Sequence, residues 1–334
     1  MTKPATIHDI AREAGVSAST VSRVLNGTVP VAENKRAAVL DVINRWNYRP
    51  NVVAQGLARG RAGVIGVLTQ AMFSPFYGEI YQGIEQGLHG SAFHPMFASG
   101  NWRTAEETTA LDLLLQRQAD GLIVLWGTLP DQQLQQVAGQ RPLIAIGRSI
   151  AGFERQCLRV DDVQGGYQAT RHLIDLGHRR IAHITGLLAQ QDARDRREGY
   201  LRALADAGLP AEPQLVVEGD FAEQSGLLAM QALLARAARF TAIFVANDQM
   251  AYGARLALYR YGIRVPDDIS IIGFDDQVGS AYTTPPLTTV RQPTQAMGRA
   301  AAQAIVRMLN DEPLDLPTFA TELIIRESTA LYRN

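Results

Sequence analysis

Four hydroxyl side chains and one arginine are concentrated in the segment VSASTVSRVLNG, residues 16–27. They are Ser17, Ser19, Thr20, Ser22 and Arg23. Short hydroxyl side chains let a helix lie deep in a DNA major groove, where they bind phosphates and base edges, and an arginine binds guanine through O6 and N7. A solvated helix face is the alternative, and the neighbouring elements must decide between the two.

A second set of polar and aromatic side chains follows apolar runs further along the chain. Trp126 follows GLIVL, Asn247 follows AIFVA and Asp275 follows ISIIGF. Ligands of parallel α/β sheets bind beyond the carboxyl ends of the strands. Aromatic rings stack on sugar faces, while carboxylates, carboxamides and arginine bind hydroxyls, so a carbohydrate suits this set. The candidate ligand-binding residues are Phe76, Tyr77, Trp126, Asp192, Arg196, Phe221, Asn247 and Asp275.

Structural roles remain open for several of these positions. Trp126 and Phe76 suit a hydrophobic core as well as a ligand site, because apolar runs supply many such residues. Asp248 and Asp276 are interpreted as helix-capping acids. Arg148, which follows LIAIG, is a candidate for orienting the connection between two sheets.

The first sixty residues predict three short helices and a basic module. Thr6 precedes the apolar period of IHDIAREA, Gly15 ends that helix, and Ser17 is placed to cap the next. A third helix in residues 31–50 offers Val39, Leu40, Ile43 and Trp46 to the core. Eight basic against four acidic residues make this module +4, which leaves −5 for the remaining chain. A helix-turn-helix that binds a polyanion is the prediction.

From Gly63 onward, eight short apolar runs alternate with amphipathic helices. Alternating strands and helices predict parallel sheets. The runs form one set before Arg148 and another after Val160, which indicates two α/β lobes with a cleft between them. Asp275, at the end of a strand run, and Arg196, at the start of a helix, are expected to face each other across this cleft and to share the ligand.

The sequence resembles the lactose/galactose/purine repressor family of bacterial transcription regulators, through TIHDIAREAGVSASTVSRVLNG, NYRPNVVAQGLARG and the later runs. The resemblance implies an N-terminal all-α helix-turn-helix domain and an α/β effector domain of two doubly wound parallel-sheet lobes, like periplasmic sugar-binding proteins, with several chain crossings. The expected domains are 1–50 (DNA binding), 51–61 (hinge helix) and 62–334 (effector binding and dimerisation). The expected lobes are 62–160 with 292–318, and 161–291 with 319–334.

The same resemblance assigns DNA-contact roles to individual positions. Ala18, Ser19 and Arg23 match base-reading positions, and Leu57 matches a leucine that wedges into the minor groove. Ala32 departs from the family, since many members have a serine cap there. The expected DNA-binding residues are Thr6, Ser17, Ala18, Ser19, Thr20, Ser22, Arg23, Asn26, Asn51, Ala54, Gln55, Leu57 and Ala58.

Composition and motifs argue against several other classes of protein. No uncharged apolar run approaches the ~20 residues of a membrane span, and MTKPATIHDI does not read as a signal peptide, so a cytoplasmic protein is expected. Cys157 is the one cysteine and is interpreted as a structural thiol. The chain has no GxxxxGK[ST], GxSxG or strand-linked GxGxxG motif, and His172, His178 and His183 lack metal-ligand spacing. Capping and surface roles are assigned to these histidines, and neither an enzyme nor a cofactor is expected.

Two functions follow from these features. The leading hypothesis is a transcription regulator, a repressor of carbohydrate utilisation, whose DNA affinity is controlled by a small sugar-like effector. The alternative is a solute-binding or sugar-processing protein with an N-terminal interaction module. One helix-turn-helix reads few base pairs, so a homodimer on a pseudo-palindrome is expected, without the leucine heptads that make some relatives tetramers.

Overall fold

The computed structural model describes residues 5–26, 30–48, 61–236 and 239–333. The chain forms two compact units, Met1–Gly63 and Val64–Asn334, called here the first and second unit. Each unit has its own hydrophobic core.

Three helices build the first unit: α1 (Ile7–Glu13), α2 (Ala18–Asn26) and α3 (Glu33–Arg45). Thr6 and Asp9 form a reciprocal capping box at α1, so the side chain of each residue bonds the backbone N–H of the other. Ile10 of α1, Val21 of α2 and Val39 of α3 are fully buried together. The predicted helix-turn-helix is confirmed.

The core face of α3 differs from the prediction. Leu40 is 38% exposed and Trp46 is 40% exposed, whereas Val42 is buried. Val39 and Val42 lie three residues apart on one helix face, and Leu40 is rotated away from it by about 100°. Trp46 follows the last helical residue, and Ala32 at the N-cap makes no side-chain cap bond.

Two parallel sheets dominate the second unit, and all eight predicted apolar runs form strands in them. One sheet has the order β2-β1-β3-β4-β5 and the other β7-β6-β8-β9. The strands are β1 (Val64–Thr69), β2 (His94–Ser99), β3 (Gly121–Leu125), β4 (Leu143–Ile146), β5 (Cys157–Leu158), β6 (Ile181–Thr185), β7 (Val216–Glu218), β8 (Ala242–Val245) and β9 (Ser270–Ile272).

Helices flank both sheets and define two lobes. The five-stranded lobe carries α4 (Pro75–Leu88), α5 (Thr104–Gln116), α6 (Asp131–Ala138) and α11 (Thr294–Leu309). The four-stranded lobe carries α7 (Asp162–Asp175), α8 (Gln191–Asp206), α9 (Glu223–Ala235) and α10 (Asp248–Arg260). Although α11 follows β9 in sequence, it packs on α4, β3 and β4. The chain therefore returns to the five-stranded lobe after building the other one.

Sequence periodicity missed three short strands. They are β5, β10 (Thr289–Arg291) and β11 (Glu322–Ile324), of which the last two form an antiparallel pair. Strands of two or three residues are too short to show an alternating pattern. Among the described residues, no helix is long and apolar enough to cross a membrane.

Glycine lets α9 and α10 approach closely. A Cβ at Gly253 of α10 would lie 1.8 Å from the Glu223 carbonyl oxygen, whereas a Cβ at Gly78 of α4 would meet no atom within 4 Å. The α9–α10 contact therefore requires glycine at 253.

We expect Gly253→Ala to lower the free energy of unfolding by about 1–3 kcal/mol, because the helices must separate. Gly78→Ala is the matched control and should leave stability unchanged or raise it by up to ~1 kcal/mol through helix propensity. Urea unfolding of both variants measures the two effects. Equal stability of the two variants would contradict a helix contact limited by Gly253.

Candidate functional site

A cavity of about 200 Å³ lies between the two lobes, where the strands of both sheets end. All eight candidate ligand-binding residues line it. Further lining residues that sequence reasoning did not select include Phe73, Ser74, Trp102, Asp220, Glu223 and Gln249. Most of these come from loops and helix starts, where no apolar strand run marks the position.

Aromatic rings from the five-stranded lobe form one wall of the cavity. Trp126 follows β3 directly, and its ring centroid is 5.1 Å from that of Phe76 and 5.9 Å from that of Tyr77, both with edge-to-face geometry. Trp126 is only 6% exposed and also belongs to the core of this lobe. The core and ligand-site interpretations of Trp126 are therefore compatible.

The opposite wall centres on the guanidinium of Arg196, on α8. Its Nε donates to Asp162 Oδ1 at 2.8 Å, and Nη1 donates to the Ala246 carbonyl oxygen at 2.6 Å. Asp275 Oδ1 lies 3.6 Å from Nη1, and Asp192 Oδ2 lies 4.0 Å from Nη2. One buried cation thus faces three buried carboxyl groups.

The expectation that Arg196 and Asp275 face each other across the cleft is wrong. Asp275 follows β9, and α8 packs on β6 of the same sheet. Both side chains therefore belong to the four-stranded lobe and contact each other directly. They form one polar wall on which a ligand would rest.

Burial changes the proton affinity of this wall. Desolvation raises the pKa of Asp275 to about 8 and that of Asp162 to about 6, and the Arg196 guanidinium opposes both shifts. The carboxyl group of Asp275 can therefore hold a proton near neutral pH.

Backbone strain is concentrated at the cavity. Nine described non-glycine residues have positive φ, and four of them line it: Trp102, Trp126, Phe221 and Asp275. Such conformations each cost about 1–3 kcal/mol and cluster at ligand sites, where the surrounding structure holds them.

Asn247 has a positioning role in addition to its place in the lining. Its Oδ1 accepts from the Met250 N–H at 2.9 Å and caps α10, while Nδ2 donates to the Phe221 carbonyl oxygen at 3.0 Å. Both ends of the carboxamide are therefore used to hold α10 and the Phe221 backbone.

Asp248 and Asp276 are not helix caps, contrary to the prediction. Asp248 accepts from the Gln277 N–H at 2.9 Å and from the Ser280 and Thr289 hydroxyls, each at 2.6 Å. Burial raises the pKa of Asp248 to about 7.

Asp276 forms ion pairs with two arginines, Arg291 at 2.7 Å and Arg326 at 2.6 Å. Together with Asp248, it anchors the loop that carries Asp275. Their partners are distant in sequence, so no local pattern reports these contacts.

In the first unit, the hydroxyl-rich face of α2 divides into outward and inward positions. Ser17, Ser19 and Arg23 are exposed, whereas Ala18 packs partly against the core. Ser17 Oγ accepts from the Thr20 N–H at 3.2 Å, which is the predicted cap. Thr20 and Ser22 are half-buried.

Several DNA-contact candidates lie outside the described residues or are described in part. Thr6 is exposed, and its side chain takes part in the capping box of α1. Asn26 ends α2, but its side chain is outside the described set. Asn51, Ala54, Gln55, Leu57 and Ala58 also lie outside the described residues.

Comparisons with known proteins match both units. Residues 6–51 match the model of the "Bacterial regulatory proteins, lacI family", and residues 170–329 match the "Periplasmic binding protein-like domain". The transcriptional regulator GalR of Escherichia coli K12 is 37% identical over 98% of this chain and 96% of its own length. The chain belongs to the lacI family. The repressor PurR of Yersinia pestis Pestoides F is 35% identical over 98% of this chain and 97% of its own length.

Solved structures of other lacI-family proteins share the fold. The Lac repressor dimer bound to operator and the anti-inducer ONPF has a TM-score of 0.87 and 30% identity, covering 98% of this chain and all of that one. The CelR–cellobiose complex has a TM-score of 0.73 and 34% identity, covering 97% of this chain and 99% of that one.

The structure places other singled-out residues of this lacI-family protein away from the cavity. Arg148 forms an ion pair with Asp131 at 2.6 Å and donates to the Leu129 carbonyl oxygen, so it holds the loop after β3. The surface role given to His178 and His183 is wrong, because both are buried. His178 lies between Thr241 and the Ala330 carbonyl.

His172 bonds Thr329 at 3.0 Å, and Cys157 is half-buried. Within the described ranges, no group of three or more His, Cys, Asp or Glu side chains is arranged to hold a metal ion.

Asp162 is a further residue of the site that sequence reasoning missed. It is the first residue of α7 and 7% exposed, and its bond to Arg196 reaches across 34 positions of sequence. In sequence, an acid in a first helical turn is explained by the helix dipole. Only the packing of α7 on α8 gives it this second role.

Proposed function

We propose that this protein represses a carbohydrate-utilisation operon and releases or binds its operator in response to a small sugar-like effector. The supporting observation is that a cavity walled by aromatic rings on one side and by Asp192, Arg196 and Asp275 on the other lies in a chain that also carries a helix-turn-helix. Selection of duplexes from a random DNA library by the full chain tests the proposal. A recovered pseudo-palindrome supports it, and no enrichment contradicts it.

Base reading is assigned to the exposed side chains at the start and middle of α2. Arg23 and Ser19 are free of the core and can reach base edges from the major groove. We propose that residues 51–58 enter the minor groove, with Leu57 as the wedge.

We expect Arg23→Ala to weaken binding of the selected operator by about 1–3 kcal/mol, because a bidentate contact to guanine is lost. Binding of random DNA should change far less. Arg36→Ala is the control: Arg36 is exposed on α3, and its loss should change both affinities by similar factors. Fluorescence anisotropy with both DNAs measures this. An equal loss on operator and random DNA would remove Arg23 from the reading residues.

We propose that the effector bridges the two lobes and changes how far they close. The segment 51–61 transmits this change to the DNA-binding residues. A ligand shifts such an equilibrium only by its difference in affinity for the two states. Ser74 Oγ already donates across the cleft to Gln249 Oε1 at 3.0 Å. Closure of the two lobes would break and re-form contacts of this kind at the cavity mouth.

We expect Asp275→Asn to weaken effector binding about tenfold or more while leaving operator affinity unchanged. Where Asp275 is ionised, above its pKa of about 8, one carboxylate oxygen that accepts from a sugar hydroxyl is replaced by a donor, and a charge-assisted bond is worth ~1.5–3 kcal/mol. Asp206→Asn, at the exposed end of α8, is the matched control. Titration of the identified sugar against labelled operator measures the response. An unchanged effector affinity would exclude Asp275 from the site.

We propose that the protein is a homodimer whose interface includes an exposed apolar face of the four-stranded lobe. Tyr252 of α10 bonds Ser280 of the short 3-10 helix Val278–Tyr282 at 2.8 Å, so these elements share a surface. The exposed large apolar residues of these two elements are Leu256, Tyr259, Val278 and Tyr282, and Leu228 is exposed on α9, which packs on α10. An exposed patch of this kind marks a protein interface.

A solute-binding or sugar-processing protein with an interaction module is less well supported. GalR and PurR are matched over at least 96% of their own length and are transcription regulators. We propose a regulator without enzymatic activity that acts in the cytoplasm, where its DNA is. Loss of operator binding on removal of residues 1–63 separates it from the alternative.

A further inference from the structure

The two walls of the cavity differ in chemistry. The five-stranded lobe contributes aromatic rings, including Phe76 and Trp126, and the four-stranded lobe contributes most of the polar groups. A ligand with one apolar face and one edge of hydrogen-bonding groups fits this arrangement. A sugar ring has these properties, because its C–H face is apolar and its hydroxyls lie at the edge.

The lining of the cavity contains more acidic than basic side chains. Among the described lining residues, the ionisable acids are Asp192, Asp220, Glu223 and Asp275, and the one cation is Arg196. Asp192 and Asp275 are less than a tenth exposed, whereas Asp220 and Glu223 lie at the exposed rim. Because the raised pKa of Asp275 lets this carboxyl group hold a proton near neutral pH, the negative charge that an anionic ligand would meet is that of Asp192 at the floor and of Asp220 and Glu223 at the rim.

The single guanidinium does not offset this charge for a ligand. Arg196 already donates to Asp162 and to the Ala246 carbonyl oxygen, and Asp275 lies 3.6 Å away. A phosphate bound here would have to compete with three protein carboxyl groups for one buried cation.

Helix N-termini are the usual anion sites in such folds, and several begin at this cavity. On the four-stranded lobe, the first turns of these helices contain protein acids: Asp192 in α8, Glu223 in α9 and Asp248 in α10. Asp192 Oδ1 accepts from the Ala193 N–H at 2.9 Å, so the positive ends of α8 and α9 are already compensated. Helix α4 of the five-stranded lobe has no acid in its first turn, but it begins with Pro75, which has no N–H to offer to an anion.

The lining offers a buried acceptor that has no partner in the described part of the chain, and the space is small. Gln190 Oε1 is buried at the cavity without a partner among the described residues, so it requires a donor such as a hydroxyl. The volume of about 200 Å³ is below the roughly 300–1,000 Å³ of sites for drug-sized ligands. Such a volume favours a ligand of one ring.

We infer that the effector is an uncharged monosaccharide, and that its phosphate esters and the corresponding sugar acids are excluded by charge. The inference rests on the proposed function, because it names the ligand class of the same effector site. Hydroxyl donors meet the carboxylates of the four-stranded lobe, and the C–H face of the ring packs on the aromatic wall.

Isothermal titration of the full chain tests this with neutral pentoses and hexoses, their phosphate esters, the matching uronic acids, and the disaccharides lactose and cellobiose. We expect a neutral monosaccharide to bind and its phosphate ester to bind about 100-fold more weakly or not at all. An ester or a disaccharide that binds as tightly as the neutral monosaccharide overturns the inference. Binding of no monosaccharide also overturns it.

Salt and a rim variant identify charge as the cause. Raising salt from about 50 to about 500 mM should strengthen binding of the ester and leave the neutral sugar unchanged, because exposed charges are screened. The double variant Asp220→Asn with Glu223→Gln should narrow the difference in binding affinity between the neutral sugar and its phosphate ester. The control variant Asp206→Asn should leave that difference unchanged. If neither high salt nor the double variant changes the difference in affinity between sugar and ester, the inference of exclusion by charge is wrong.

Operator selection in the absence of sugar keeps the two proposals separate. If the full chain selects an operator but a sugar phosphate proves to be the ligand, only the ligand class is wrong. If no operator is selected, the proposed function fails whatever the sugar titrations show.

Discussion

Replacing Arg196 with leucine is expected to lower the free energy of unfolding of the second unit by about 3–5 kcal/mol, because breaking a buried ion pair leaves uncompensated buried charge. Arg196 is 2% exposed and faces Asp162, Asp192 and Asp275 at 2.8, 4.0 and 3.6 Å. Its guanidinium also lies 3.8 Å from the centroid of the Phe274 ring. Urea unfolding followed by circular dichroism measures the loss.

Arg202→Leu is the matched control on the same helix. Arg202 pairs with Glu198 at 2.7 Å, but it is 61% exposed, so its loss should cost less than about 1 kcal/mol. Adding Asp162→Asn to Arg196→Leu should restore part of the stability, since one buried charge is removed. Equal costs for the two arginine variants would show that the cluster around Arg196 is not a buried charge network.

Stability should also depend on pH through Asp248, with a sign set by its raised pKa. Unfolded, this carboxyl group ionises near 3.8, and in the folded protein near 7. Between these values the folded state binds more protons, so the free energy of unfolding falls as pH rises. The fall is about 1.4 kcal/mol per pH unit, or roughly 2–3 kcal/mol from pH 5 to pH 8.

Asp248→Asn should remove this share of the pH dependence. At pH 5 the variant should have a lower free energy of unfolding than the unchanged protein. This difference should become smaller as the pH rises to 8. Urea unfolding at several pH values measures the difference, in which the share of Asp162 cancels and that of Asp275 cancels in part, because the Asp248 charge also raises the pKa of Asp275. Asp267→Asn, at an exposed position of the same unit, is the control. Parallel curves for Asp248→Asn and the unchanged protein would contradict a buried, protonated Asp248.

The strands and the ligand-site residues were largely predictable from local pattern. Apolar runs such as GLIVL and AIFVA mark strands, and parallel strands present the residues that follow them at one edge of a sheet. This rule selected Trp126, Asn247 and Asp275, and the structure brings all three to one cavity. The helix-turn-helix was equally visible, because its caps and apolar spacing are local features of sequence.

Contacts between residues distant in sequence were not predictable in this way. Asp162 and Asp248 read as acids in first helical turns, where the helix dipole already explains them. Their partners lie 34 and up to 41 positions away, and only tertiary packing brings them together. The same holds for Gly253, whose need for glycine comes from the backbone of another helix.

Sequence alone therefore determined the types and edges of the main elements, because hydrophobic period, caps and turns act within a few residues. The tertiary structure decided which lobe each ligand-site residue belongs to, since Arg196 and Asp275 share one wall rather than facing across the cleft. It also decided the charge state of that wall. A pKa depends on burial and on every neighbouring charge, and both are properties of the folded chain.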